Sequence, residues 1–285
     1  MEIVEIEPEK KITISKIEYS CDILDATIPK PLFQNYSSFI ILTAPPRSGK
    51  STWITNCLCK KGKVYNKKFD RIYICSPSLR SAKNDPFVCI PPEQIESELT
   101  LDFLERFEQE VQGSGDRVLL ILDDVVNDIR KNKGVDKMLA KILYNRRHIT
   151  ADGGDTANGV SCWLTSQALN RIPLMIRKVA NGIVAFKLKN VKEIMTIFEE
   201  FVIGITKQQF MDILKYVYTG NYDFLFMNLD NSYDKIFHKN FNQLVLKNQN
   251  RQDLAKIVGQ LVILSYITKT PPHVDVTIIH ELNTT

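Results

Sequence analysis

The sequence predicts an α/β fold, a mostly parallel central sheet flanked by helices, with an N-terminal arm and a C-terminal α+β appendage. Three observations carry this. Short, unbroken apolar runs recur between residues 39 and 186, as strands buried on both faces require. Helically spaced apolar residues lie between them, the crossovers that parallel neighbours need. Glycine is scarce, 12 of 285 residues, so its few clusters mark real turns.

Residues 1–36 are mixed and short-patterned, punctuated by Pro29 and Pro31, and read as the arm. Phe39-Ile40-Ile41-Leu42-Thr43 is the first buried strand, followed by Pro45-Pro46-Arg47-Ser48-Gly49-Lys50 and a helix from Ser51. Arg71–Cys75 is a second strand, closed by Ser76-Pro77. Leu101, Leu104, Phe107 and Val111 share one helical face. Val118–Leu122 is a third strand, ending in Asp123-Asp124. Val135, Met138, Leu139, Ile142 and Leu143 fall at i, i+3, i+4, i+7 and i+8 of an amphipathic helix. Ser161–Thr165 and Gly182–Phe186 are the fourth and fifth strands.

After Asn190 the texture changes. Val191, Ile194, Met195, Phe198 and Val202 mark a helix, and Thr206-x-x-Gln209 is a capping box opening another that stops at Gly220. Asp223–Leu229 reads as a strand, and Leu254, Ile257, Val258 and Leu261 as a last helix. The expected organisation is therefore an arm over 1–36, a core over 37–190, and an appendage over 191–285 packed on that core.

Apolar residues make up 44% of the chain and charged residues 25%, enough for a full core and against disorder. A net charge of +4 is too weak to argue for a polyanionic partner by itself. No stretch approaches the ~18 apolar residues of a membrane span, and the acidic start, Met1-Glu2-Ile3-Val4-Glu5, argues against a signal peptide. The six cysteines form no CxxC pair, so a reducing, intracellular compartment is expected rather than a disulfide or zinc framework.

Ala44-Pro45-Pro46-Arg47-Ser48-Gly49-Lys50-Ser51-Thr52 has Walker A spacing and joins a buried strand to a helix, the context a phosphate loop needs. Chance supplies such a match in about 2% of chains this long. Pro46, Arg47, Ser48, Gly49, Lys50, Ser51 and Thr52 would wrap the phosphates of ATP, where backbone amides and a helix N-terminus favour negative charge. Lys50 would neutralise β- and γ-phosphate oxygens, and the Ser51 hydroxyl would ligate Mg²⁺. Two departures stand out: Ala44 replaces the first glycine, and Arg47 sits where many such loops carry a second.

Val118–Asp124 has Walker B form. Asp123 would hold Mg²⁺ through water, and Asp124 would accept the attacking water's proton. Gln167, ending Trp163-Leu164-Thr165-Ser166-Gln167, would reach the γ-phosphate or its water, against the reading of a surface glutamine at a strand end. Arg146 and Arg147, in Asn145-Arg146-Arg147-His148, read either as cations meeting a helix dipole or as an arginine finger for a neighbouring subunit's ATP. Arg177 is a further finger candidate.

Together these residues resemble the FtsK/HerA superfamily of P-loop ATPases, and more closely the genome-packaging ATPases of nucleocytoplasmic large DNA viruses, including poxviruses. The resemblance runs from about Pro29 to Leu229. It rests on Ala44–Thr52, Phe69–Ser78, Leu120–Val126, Asn145–His148, Trp163–Gln167, Ile172–Arg177 and Asp223–Phe226. It implies a RecA-like P-loop NTPase fold, a ring-shaped homo-oligomer, and ATP-driven movement of double-stranded DNA into a capsid. By motif position it makes Gln167 the sensor and Arg147 the leading finger. Capsid or inner-membrane viral proteins are further partners it suggests, and host cytoplasm, as a viral factory, or the virion is the location. Residues 151–159 look longer than the usual connection at that place. Two other classes remain open: a nucleotide-binding assembly or scaffold protein with no motor cycle, and a P-loop phosphotransferase. DNA-stimulated ATP turnover separates the translocase from both.

Overall fold

The structure is a computed structural model that describes residues 21–58, 64–77, 90–153 and 156–246. The chain divides into one compact unit, residues 1–244, and a second, 245–285, of which Val245 and Leu246 alone are described. The expected helix around Leu254–Leu261 lies outside the described residues, as do Lys60, Lys61 and Lys63 of the densest basic segment.

In chain order the described elements begin with β1 (Cys21–Asp22), β2 (Phe39–Thr43), α1 (Lys50–Leu58), β3 (Arg71–Cys75), β4 (Ile95–Glu96), α2 (Leu101–Val111) and β5 (Val118–Leu122). They continue with α3 (Val126–Lys131), α4 (Lys133–Asn145), β6 (Thr156–Ala157), β7 (Val160–Ser166), α5 (Leu174–Arg177) and β8 (Gly182–Phe186). Then follow α6 (Val191–Phe201), α7 (Lys207–Val217), β9 (Phe224–Asn228), β10 (Phe237–Lys239) and β11 (Asn242–Gln243).

Nine of these strands form one sheet in the order β11-β10-β9-β8-β2-β7-β5-β3-β4. From β8 to β4 every neighbouring pair is parallel, and β9, β10 and β11 extend the sheet antiparallel. β1 and β6 pair separately. The fold is thus α/β with a mostly parallel sheet between helices. The apolar runs at 39–43, 71–75, 118–122 and 182–186 are strands over those same residues.

Alternation along each strand divides the core in two. One face, with Ile41, Leu120, Leu122, Leu164, Ile183 and Leu225, packs under α2, α4 and α7. The other, with Ile40, Leu42, Ile121, Trp163 and Val184, packs under Trp53, Ile54, Cys57 and Leu58 of α1 and under Ile28, Leu32, Phe33 and Tyr36. The arm is thus part of that second layer from Ile28 onward. Gly182 permits it: a Cβ there would stand 2.7 Å from the Phe33 ring. Lys68 beside Asp25 holds the Asp25 carboxyl well below the usual carboxylate range, and Tyr36 Oη donates to the same carboxylate at 2.7 Å.

Local signals close the helices. Thr100 Oγ1 accepts from the Phe103 amide at 3.1 Å and caps α2. Thr206 and Gln209 form the expected capping box on α7. One residue departs from expectation. Val191, assigned to the apolar face of its helix, is 66% exposed. It occupies the first turn of α6, ahead of the face that meets the core, and the buried residue there is Glu193, whose carboxylate accepts from the Leu169 amide at 2.7 Å. Cys57, Cys75 and Cys162 are buried. Among the described residues no helix is long and apolar enough to cross a membrane.

Candidate nucleotide site

Parallel strands end together, and the loops leaving their carboxyl ends converge on a crevice. Here β7 lies between β2 and β5. The phosphate-loop segment leaves β2, the two acids leave β5, and Gln167 leaves the strand between them. Lys50, Ser51, Asp123, Asp124 and Gln167 therefore gather at one edge of the sheet.

The loop turns through two left-handed residues, Arg47 at φ 62° and Gly49 at φ 103°. For glycine this costs little, whereas for arginine it costs about 1–2 kcal/mol. Lys50, the first residue of α1, folds back over the turn, and its Nζ donates to the Ala44 carbonyl at 3.0 Å. Burial pushes the Lys50 ammonium below its ordinary pKa, and the charges of Asp124 and Asp123 partly oppose that shift. A cation short of solvent gains from an anionic partner, while the two acids facing it repel a polyanion unless a divalent cation stands between them. Ser48 and Gly49 are half-buried in the turn, while Pro46, Ser51 and Thr52 are exposed.

Register explains the acids. Cys75 pairs with Leu122, and Leu122 with Leu164, so the next row across the sheet is Ser76, Asp123 and Thr165. The row is hydrogen-bonded throughout: Ser76 Oγ donates to Asp123 Oδ2 at 3.0 Å and Thr165 Oγ1 to Asp123 Oδ1 at 2.7 Å. Asp123 is 6% exposed, a buried carboxylate fixed by two hydroxyls. The chain then twists into the left-handed region at Asp124, φ 59°, where its amide donates back to Thr165 Oγ1 at 3.0 Å. That turn carries the Asp124 side chain beyond the strand end, into solvent, where Gln167 Nε2 donates to its Oδ2 at 2.7 Å. Strained backbone held by its surroundings is a common feature of functional sites.

The donor set suits Mg²⁺. Among the described residues no three His, Cys, Asp or Glu side chains gather as a metal cage. The Ser51 hydroxyl and the Asp123 carboxylate are hard oxygens, and Mg²⁺ keeps several waters and takes the rest of its shell from one or two such groups and substrate phosphates.

The arginines lie elsewhere. Arg146 Nε donates to the Ser37 carbonyl at 2.7 Å and its Nη1 to the Leu143 carbonyl at 2.8 Å, while its own carbonyl accepts from Val160 at 2.8 Å. Ser37 precedes β2 and Val160 opens β7, so Arg146 and Arg147 sit at the edge where strands begin, opposite Lys50. Arg146 is thereby committed to joining α4 to the sheet, whereas Arg147 is exposed. Arg177, considered above as a finger, is 8% exposed; its guanidinium binds Glu200, with Nε to Oε2 at 2.8 Å, and donates to the Ile172 carbonyl at 2.6 Å. That pairing ties α5 to α6 and leaves Arg177 no reach across an interface.

Sequence reasoning missed Ser76 and Thr165, whose importance depends on strand order. It also missed an aromatic cluster beside the loop. A cavity of about 670 Å³ opens from Arg47–Thr52 along Trp53, Asn56 and Cys57 of α1, and is walled by Phe186, Tyr222, Phe224 and Phe241.

No protein-family model and no curated protein sequence matches the chain. Solved structures do. The genome packaging NTPase B204 of Sulfolobus turreted icosahedral virus 2, in complex with AMPPCP, is 18% identical, with 74% of this chain and 100% of that one covered and a TM-score of 0.48. The pCW3 conjugation coupling protein TcpA is 11% identical over 83% of this chain and 72% of its own, TM-score 0.47. EssC (ATPases 2 and 3) from Geobacillus thermodenitrificans is 12% identical over 96% and 58%, TM-score 0.44.

Proposed function

We propose that this chain is a P-loop ATPase that binds MgATP at the carboxyl edge of the sheet and couples its hydrolysis to movement of double-stranded DNA, as one subunit of a ring that packages a viral genome. The observation that supports the ATPase reading best is the pairing of Lys50, on one side of β7, with the Asp123–Asp124 acids on the other, Gln167 standing between them. The polymer substrate is what the family resemblance implies, carried by Asn145–His148, Trp163–Gln167 and Ile172–Arg177.

In this reading the amides of residues 46–52 and the Lys50 ammonium bind the phosphates. Ser51 and, through water, Asp123 would hold Mg²⁺, which would supply charge neutralisation at the phosphates. Asp124 takes the proton of the attacking water, and Gln167, already bonded to that carboxylate, orients it and the water together. Asp123, held by two hydroxyls, stays fixed while this happens.

The test is ATP turnover with and without linear duplex DNA, with Lys50→Ala as control. DNA is expected to raise turnover several-fold, and Lys50→Ala to abolish it with an unchanged melting temperature, since the Lys50 side chain makes one hydrogen bond to a loop carbonyl. Wild-type turnover in Lys50→Ala overturns the ATPase reading. Turnover indifferent to DNA keeps the nucleotide site and moves the chain to the assembly-protein or phosphotransferase class.

A further inference from the structure

The phosphate loop has two unlike flanks. On the β7–β5 side stand Asp123, Asp124 and Gln167. On the β8–β9 side stands the aromatic wall: Phe186 ends β8, Phe224 opens β9, and Phe241 follows β10. Their rings touch in sequence, Phe186 to Phe224 at 5.4 Å between centroids, Phe224 to Phe241 at 5.3 Å, and Phe241 to Trp53 at 6.3 Å. None of the acids lines this cavity. Tyr222 sits at its mouth, 70% exposed, with its ring against the loop: a Cβ on Gly49 would lie 3.5 Å from Tyr222 Cδ1 and 3.6 Å from Phe186 Cε1. Trp53 is 6% exposed, yet its indole N–H has no acceptor, an unmet donor in a cavity-lining side chain.

An exposed tyrosine ring and an apolar aromatic wall next to the phosphate-loop turn suit a molecule with a polyanionic end and a flat, aromatic end. The volume is within the range of small-molecule pockets. The geometry points to a nucleobase subsite formed by Tyr222, Phe186, Phe224, Phe241 and Trp53. It takes the purine of a nucleoside triphosphate by stacking on the exposed Tyr222 ring against the aromatic wall, and turns the γ-phosphate toward Asp123 and Asp124. This rests on the phosphate-loop reading above and adds the orientation of the nucleotide and the residues that distinguish it from bare polyphosphate.

The probes are ATP and inorganic tripolyphosphate, which carries the same charged chain and no base. Binding is measured by calorimetry on the full chain and by the fluorescence of its two tryptophans. ATP is expected to bind more tightly than tripolyphosphate and to quench fluorescence, with tripolyphosphate leaving it unchanged. Tyr222→Ala, an exposed site with little bearing on folding, should weaken ATP roughly tenfold, as loss of one base–aromatic stack does. It should leave tripolyphosphate affinity unaltered, and Tyr222→Phe should restore ATP binding. Equal weakening of both ligands, no change in either, or a wild type that binds tripolyphosphate as tightly as ATP overturns the subsite while keeping the phosphate loop. A wild type that binds neither ligand overturns the phosphate-loop reading, and the subsite with it.

Discussion

At the residue scale the chemistry depends on one hydroxyl. Thr165 Oγ1 donates to Asp123 Oδ1 and accepts from the Asp124 amide, so it fixes the buried acid and also the left-handed turn that presents the exposed one. Thr165→Val keeps the shape, removes both bonds and leaves a carboxylate oxygen and an amide short of a partner, at a cost of about 1–3 kcal/mol. Turnover should fall by up to that factor, about 5- to 150-fold, and the Mg²⁺ concentration for half-maximal turnover should rise. Affinity for nucleotide without Mg²⁺ should hold, and Thr165→Ser should recover most of the activity. If Val and Ser behave alike in Mg²⁺ dependence, the hydroxyl does not position the acids. Lys50, Asp123 and Asp124 were legible because each belongs to a contiguous motif. Thr165 and Ser76 were in view as strand-end residues, but a role on Asp123 requires knowing that β3 and β7 flank β5, and strand order is not written in any local pattern.

At the scale of elements, the buried parallel strands were legible because burial on both faces leaves an unbroken apolar run. The edge was not: Phe237-His238-Lys239 and Asn242-Gln243 are too short to carry a period; the first is a strand because β9 offers it an open ladder, and the second because β10 then does. The turn from α7 into β9 matters most there, since it carries Tyr222. Asp223 holds it: its carboxylate accepts from Asn240 Nδ2 at 3.1 Å and from the Gly220 amide at 2.6 Å, and Lys239 lies 3.4 Å away. These partners, Asn240 foremost and Gly220 next, lower its pKa from 3.8 to about 2. A carboxyl whose folded-state pKa lies below its unfolded value stabilises the fold above the unfolded value, and that stability is lost as pH falls through the folded one. The window therefore runs from pH 3.8 down to about 2. Asp223→Asn should melt below wild type by a gap that is full above pH 4 and narrows as pH falls toward 2. A gap constant across that window would mean that Asp223 acts through shape rather than charge.

At the scale of the molecule, the candidate finger and the candidate ATP site lie on opposite edges of one sheet. Strands β2 and β5 are five residues long, and a strand rises ~3.3 Å per residue, so about 15 Å of sheet separates those edges. Arg147 therefore does not act on its own chain's nucleotide. A finger at this position requires a second subunit whose carboxyl edge meets the first one's amino edge, a head-to-tail contact of the kind that closes rings. Of the three arginines considered, Arg177 is buried, Arg146 is half-buried and Arg147 is exposed. Specific activity should then climb steeply with protein concentration, in step with assembly seen by sedimentation. Arg147→Ala should lower turnover by up to the ~10³–10⁵ that such fingers contribute, with nucleotide affinity kept. Arg146→Ala should instead lower the melting temperature, because it unties α4 from the start of β2. Mixing supplies the decisive measurement. In such a ring each Arg147→Ala subunit would disable its neighbour's site and interrupt coupling between sites, so activity should fall more steeply than the fraction of mutant added. A straight-line fall, with activity per subunit independent of concentration, would remove both the ring and the finger and leave an ATPase that works alone.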